Sequence, residues 1–276
     1  MSDNPLLSIR NLSKSYITRP LGVFGKKEVK PVLNNVELDI RRGEIFGLVG
    51  ESGCGKTTLA RCVLGLIDYE GEIIINGRAS AKKPSGRERR ERAFEVQAVF
   101  QNPGASLNPA KSVGWILEEP LKVHGCGNAA ERQTQVEAML DMVGLDASHK
   151  TRKSRELSSG QKQRVAIATA LMLKPQLIVA DEPVSALDVS VAAQILNLFR
   201  DLNKRLDLSL LFISHNMDVV NYLCHRAAVM REGRITDCDE SQCRSIASYS
   251  SGVFAPRTIE SSKILQRSGI YLTRIF

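Results

Sequence analysis

The run Gly50-Glu51-Ser52-Gly53-Cys54-Gly55-Lys56-Thr57 constrains this chain more than any other stretch. It satisfies G-x-x-x-x-G-K-[ST] in full. An apolar run at 45–49 precedes it, and Leu59, Val63, Leu66 and Ile67 follow at helical spacing. Strand, loop and helix in that order are the context the motif needs. Its glycines permit a tight loop whose backbone N–H groups close around phosphate oxygens. The helix that follows adds its positive N-terminal end. Lys56 would reach the β- and γ-phosphates of a nucleotide, and the Thr57 hydroxyl would ligate Mg²⁺. Gly50, Glu51, Ser52, Gly53, Cys54, Gly55, Lys56, Thr57 and Thr58 are therefore the candidate nucleotide-binding residues. A Gly-rich turn that merely happens to hold a lysine is the bland alternative, and the flanking pattern argues against it.

Such a site needs an acidic group nearby. The apolar run Leu177-Ile178-Val179-Ala180 ends on Asp181, and Glu182 follows at once. Asp181 is placed to hold a metal, directly or through water, and Glu182 to polarise an attacking water as general base. Alone, paired acids read equally well as a solvated strand end or a helix cap; the upstream loop tips the balance.

Further apolar runs at 72–75, 96–100, 210–213 and 227–230 alternate with amphipathic stretches. One helix begins near Ser159 and carries Val165, Ala168, Leu171 and Met172. Another begins near Ser190, with Ile195, Leu198, Phe199 and Leu202 at helical spacing. Buried strands alternating with helices predict an α/β domain with a largely parallel sheet. Residues up to about 40 read instead as strands joined by turns, with a Gly/Pro/Lys-rich excursion at 19–31. Residues from about 103 to 165 are mostly helical and interrupt the alternation as an inserted subdomain. Residues 238–276 show no period and are expected to form a weakly ordered appendix.

Charge narrows the partners. The 276 residues include 38 Lys and Arg against 30 Asp and Glu, a formal net charge of +8. That balance favours nucleotide, nucleic acid or an acidic membrane surface. The densest basic stretch, 82–92, has only Phe94 near it and lacks interleaved stacking aromatics, so it reads as a solvated face. Nucleic acid is not an expected partner. No run approaches the roughly 20 apolar residues of a membrane span. The first residues, with Asp3 and Pro5, lack the apolar core of a signal peptide, so the chain is expected in the cytosol. Cys54, Cys62, Cys126, Cys224, Cys238 and Cys243 form no CxxC pair and are expected as thiols. A metal site at Cys238 and Cys243 is the weaker alternative. His124 and Cys126, beside Gly125 and Gly127, read as a loop.

Many phosphate-loop proteins share these features, and Leu157-Ser158-Ser159-Gly160-Gln161 separates them. A serine, a glycine backbone and a helix N-terminus make a second phosphate-binding element. Two such elements in one chain suggest head-to-tail pairing, each chain's second element covering the other's γ-phosphate. Here the sequence resembles the ABC ATPase family, whose signature segment reads LSGGQ. The resemblance covers about residues 6–237, the expected ATPase domain being 1–237, with the motifs in the family's order.

The resemblance implies a P-loop NTPase core with a mostly parallel sheet, an N-terminal antiparallel β subdomain and the inserted helical subdomain. It implies that Gln101 is the Q-loop glutamine, sensing Mg²⁺ and the membrane partner. It also implies that Ser185-Ala186-Leu187-Asp188 is the D-loop, His215 the switch histidine and Tyr16 the aromatic stacked on adenine. Ser158, Ser159, Gly160, Gln161 and Asp188 then join the nucleotide site. Glu182, His215 and Lys56 carry catalysis, Thr57, Gln101 and Asp181 hold the metal, and ATP and Mg²⁺ are the cofactors. Singly, Gln101 is a polar strand-end residue, Asp188 a helix-start acid, His215 a loop residue and Tyr16 a half-buried aromatic. Order and spacing carry the functional reading.

Within the family, Val99-Phe100-Gln101-Asn102-Pro103, continuing to Pro109, is similar to dipeptide, oligopeptide and nickel importers. So are Glu119-Pro120-Leu121 and the stretch from Asp181 to Ser190. That subgroup implies membrane permease subunits, a second ATPase subunit and, indirectly, an external solute-binding protein. It also implies a peripheral position on the cytoplasmic face of the cell membrane. There are departures: Ser159 for glycine, Asn216 for aspartate, Thr169 for arginine, and no His-Pro-Tyr segment in 248–257. Two other readings stay open. One is a soluble ABC ATPase acting on chromosomes or ribosomes, although no sustained heptads separate Lys56 from Ser158 and the chain holds one cassette. The other is a partner that closes over ATP but hydrolyses slowly, which Ser159 keeps in play.

Overall fold

The computed structural model describes residues 5–18 and 28–239. Most of the excursion at 19–31, Cys243, the segment 248–257 and the appendix from 240 onward lie outside the described residues.

Strands β1 (Leu7–Thr18), β2 (Glu28–Ile40), β4 (Glu70–Ile75) and β5 (Arg78–Ala79) form an antiparallel sheet in the order β2-β1-β4-β5. A second sheet runs β10-β9-β3-β8-β7-β6. It comprises β3 (Ile45–Gly50), β6 (Val96–Val99), β7 (Leu177–Asp181), β8 (Ser209–Ser214), β9 (Arg226–Arg231) and β10 (Arg234–Asp239). All its neighbours pair in parallel except β10 with β9. The expected α/β class with a mostly parallel sheet and an antiparallel N-terminal part is what forms.

Alternation along β3 shows why its sequence is apolar throughout. Phe46 and Leu48 join Leu7, Ile9, Ile40 and Ile73 in a core shared with helix α1 (Lys56–Val63). Ile45 and Val49 belong to the opposite core, with Ile178, Ala180, Leu210 and Phe212. A sheet covered on both faces needs apolar residues at every position. Helix α7 (Val189–Leu206) seals the second core with Ile195, Leu198, Phe199 and Leu202. Phe199 meets Phe212 edge to face at 6.1 Å, and burying each such side chain stabilises by about 2 to 3 kcal/mol.

Helix α2 (Gly86–Arg92) precedes β6. Between β6 and β7 come α3 (Pro103–Ser106), α4 (Val113–Val123), α5 (Ala129–Met142), two 3₁₀ turns (Ala147–Thr151 and Ser154–Glu156) and α6 (Ser159–Leu171). A last helix, α8 (Met217–Leu223), follows β8.

Three local readings change. The helical spacing through Leu66 and Ile67 overshoots: α1 ends at Val63, Gly65 turns left-handed at φ +68°, and Leu66 is exposed. Phe100 lies past the end of β6 and is exposed. The basic stretch is not wholly a solvated face, because Arg92 is buried beside Tyr69, where desolvation lowers its pKa. Cys54 and Cys62 are buried thiols, Cys224 is buried as well, and Cys126 is half-buried. Burial pushes Cys62 up to about 12.

Candidate nucleotide site

Parallel strands end together, and here the register sets the candidate residues in a row. Val49 pairs with Ser214, Ile213 with Asp181, and Ala180 with Val99. Gly50, His215, the Asp181–Glu182 pair and Gln101 therefore stand at or just past the carboxyl ends of adjacent strands. That edge is where open α/β sheets bind ligands.

The loop after β3 is wound around Lys56. Its ammonium donates to the carbonyls of Gly50 at 2.7 Å and Glu51 at 2.8 Å, and the side chain is only 6% exposed. Cys54 is a buried wall of this loop, its Sγ 3.8 Å from Lys56 Nζ. Glu51, Ser52, Gly53 and Thr57 are exposed at the rim, and Thr58 is half-buried. Gly55 is the N-cap of α1 at φ +116°, and a Cβ there would lie 2.9 Å from the Val32 carbonyl oxygen. Only glycine suits that position.

Asp181 is buried, and desolvation raises its pKa; a hydrogen bond with Thr57 opposes this, and the Glu182 charge adds to it. Lys56 and Arg61 lower it more weakly. A hydroxyl and a carboxylate held together in this way fit Mg²⁺, which keeps waters and substrate phosphates as its other ligands. No group of three or more His, Cys, Asp or Glu among the described residues could hold a metal by itself.

Glu182 adopts φ +50°, a left-handed backbone that costs a non-glycine residue about 1 to 3 kcal/mol. Its N–H is pinned to the Ile213 carbonyl at 2.9 Å, and its Oε1 lies 3.0 Å from His215 Nδ1. Gln101 is exposed beyond β6.

The second element starts α6. Ser158 is its N-cap in a reciprocal box with Gln161: Ser158 Oγ accepts from Gln161 N at 3.3 Å, and Gln161 Oε1 accepts from Ser158 N at 3.0 Å. Ser159 sits exposed in the first turn and is not among the residues with positive φ. Gly160 is buried, and a Cβ there would come within 2.6 Å of Val191 Cγ1 on α7. Asp188 is the exposed N-cap of α7 and makes no side-chain cap bond. Two departures from the family pattern have local accounts. Asn216 caps α8 through Oδ1, and Thr169 Oγ1 donates back to Val165 O at 2.8 Å.

Thr57 thus bonds with Asp181 and Glu182 meets His215, while Lys56 acts on Asp181 through its charge. Ser158 and Gln161 are tied into the helical segment, and Tyr16, 36% exposed on β1, has Lys14 Nζ 5.4 Å from its ring centroid. Two residues were not picked out from the sequence. Arg61 acts on Asp181 through its charge, and its place one helical turn past Thr57 was a usable signal. His149, whose Nε2 lies 3.1 Å from Gln161 Nε2, gave no such signal, since a 3₁₀ turn of five residues is too short to show a side-chain period.

Residues 33–185 match the family model described as ABC transporter. A Brucella ovis protein named as a peptide import ATP-binding protein is 47% identical over 243 residues, 88% of this chain and 74% of that protein. The dipeptide transport ATP-binding protein DppF of Lactococcus lactis subsp. cremoris is 46% identical over 222 residues, 79% of this chain and 71% of that protein. Among solved structures, the dimeric post-hydrolysis ATP-binding cassette MJ0796, bound to ADP and Pi, has a TM-score of 0.73 at 28% identity. The match covers 84% of this chain and 97% of that one. CbiO1 of Clostridium perfringens, part of the ABC transporter complex cbiONQ, has a TM-score of 0.78 at 25% identity, over 97% of this chain and all of that one. With the family model spanning more than half its length and relatives near half identity, the chain belongs to the ABC transporter family, among its ATP-hydrolysing cassettes.

Proposed function

We propose that this cassette energises the import of peptides, working as one of a pair of cassettes beneath membrane permease subunits. The peptide assignment draws on the names of the Brucella and Lactococcus relatives, and the pairing on the dimeric cassette MJ0796. The permease subunits would hold the chain at the cytoplasmic face of the membrane, and an external solute-binding protein would deliver the peptide. No helix among the described residues is long and apolar enough to cross a membrane.

The observation that carries hydrolysis is the contact between Glu182 and His215 on the strand edge that also bears Lys56 and Asp181. In this reading the loop from Gly50 to Thr58 wraps the phosphates, and Lys56 leaves the Gly50 and Glu51 carbonyls for their oxygens. Thr57 and Asp181, with Gln101, would hold Mg²⁺, which when bound neutralises charge on the β- and γ-phosphates. Glu182 takes the proton of the attacking water while His215 fixes the carboxylate. Tyr16 would stack on adenine. Ser158, Ser159, Gly160 and Gln161, with Asp188, would cover the γ-phosphate of the paired cassette. The cassette would span 1–237, and its helical segment at about 103–165 would carry closure to the permease.

Mg²⁺-dependent ATP turnover of the purified chain, with and without permease subunits and beside a Lys56→Ala control, tests this. Turnover lost in the control and stimulated by peptide in the assembled transporter is expected. ATP bound without turnover in any assembly would make the chain a binding partner only. Turnover without any response to permease subunits would sink the transport reading.

A further inference from the structure

Gln161 lies between two hydrogen-bonding groups whose chemistry fixes its orientation. The Ser158 N–H can meet only the carbonyl oxygen of the amide, and it does so at 3.0 Å. The NH₂ end is thereby turned to His149 Nε2, 3.1 Å away. An NH₂ group only donates, so that Nε2 must be the unprotonated, accepting nitrogen. The proton of the neutral ring then sits on Nδ1, 3.0 Å from the Asp146 carbonyl oxygen. Asp146 is itself fixed, its Oδ1 accepting from Ser148 N at 2.8 Å. Each bond dictates the polarity of the next, from Asp146 to Ser158. At the far end the Ser158 oxygen accepts from Gln161 N, which leaves the hydroxyl proton uncommitted within the box.

The other helix caps show why this matters. The boxes at Ser85 with Glu88 and at Asn128 with Glu131 use carboxylates, both of whose oxygens accept. A glutamine amide has one wrong end. Without an acceptor at its NH₂, nothing outside the box stops it from rotating and presenting that end to the Ser158 N–H.

We propose that His149 is a positioning residue for the second phosphate-binding element. Neutral and protonated on Nδ1, it holds the Gln161 amide so that the Ser158 hydroxyl and the first-turn N–H groups of α6 are set for the γ-phosphate on the paired cassette. This rests on the reading of Ser158 given above.

The test compares His149→Phe, His149→Gln, Ser158→Ala and the Phe/Ala double variant in the full-length chain with its paired cassette. Phe keeps a ring and removes the acceptor; Gln restores an accepting oxygen. His149→Phe is expected to lower turnover about tenfold, inside the roughly hundredfold that a misplaced contact can cost. Nucleotide binding and melting temperature should stay unchanged, His149→Gln should recover most of the rate, and Phe should add nothing to Ser158→Ala. Normal turnover in His149→Phe beside an inactive Ser158→Ala overturns the role of His149 alone. Normal turnover in Ser158→Ala removes the reading of the phosphate element, and the His149 role with it. A melting temperature that falls with the rate in both His149 variants makes the residue structural and overturns the proposal. Nitrogen-15 NMR of the unmutated ring reads the tautomer directly: protonated Nδ1 with bare Nε2 supports the relay, and the reverse overturns it.

Discussion

His215 Nδ1 lies 3.0 Å from Glu182 Oε1, each residue being the first past the end of its strand. The contact exists because β7 and β8 pair in register, with Asp181 opposite Ile213, and because Glu182 leaves its strand in a left-handed conformation. A carboxylate held on one oxygen by an imidazole keeps its other oxygen for a water. Glu182→Gln should therefore lower single-turnover hydrolysis by about 10²- to 10⁴-fold, the range of a lost general base, while ATP binding persists. His215→Ala should cost less and add little to Glu182→Gln, because it acts through the same carboxylate. Full additivity of the two would show that the residues work separately.

Asp181 yields a prediction of opposite sign for stability and activity. Burial raises its pKa above the unfolded value, so the folded chain binds its proton more readily than the unfolded chain does. Its contribution to stability then falls as pH rises from about 3.9, the unfolded value, through the folded one. Asp181→Asn should thus melt higher than the native chain at pH 7 without nucleotide, with the gap closing below about pH 4. The same variant should lose Mg²⁺-dependent turnover. A native chain that melts higher at neutral pH would contradict the assigned cost of the charge.

Much of this was readable because local rules and the fold agree. The loop at Gly50 to Thr57 and the run ending at Asp181 have motif spacing, and the sheet register does the rest by bringing their ends side by side. Leu66 was misread because helical spacing continues past the point where Gly65 reverses the chain. Arg92 was misread because a charge run says nothing about which cation turns inward toward Tyr69. His149 was invisible for a different reason: it reaches Gln161 only because the 3₁₀ turn is packed on α4 and α5, and no periodicity records that.

At Gly55 the phosphate loop combines a left-handed backbone with a close carbonyl. With φ at +116° and the Val32 carbonyl 2.9 Å from any added Cβ, Gly55→Ala is strained and crowded together. Destabilisation of about 1 to 3 kcal/mol is expected in urea unfolding, with loss of nucleotide binding. An alanine variant that binds ATP normally would mean that the loop adopts another backbone when loaded.

Ser159 and Gly160 divide the signature segment into a tolerant and an intolerant position. Ser159 is exposed and has no positive φ, so no glycine freedom is used there. Gly160 has Val191 within 2.6 Å of where a Cβ would stand. Ser159→Gly should shift stability by no more than about 0.5 kcal/mol, the small difference in helix propensity. Its steady-state turnover should stay within about twofold of the native chain, since the first-turn N–H groups stay where they are. Gly160→Ala should cost about 1 to 3 kcal/mol by overpacking against α7 and depress turnover by displacing the same N–H groups. If Ser159→Gly instead raised turnover tenfold or more, the serine would be a brake on the second phosphate element. The native chain would then be the slow member of its pair.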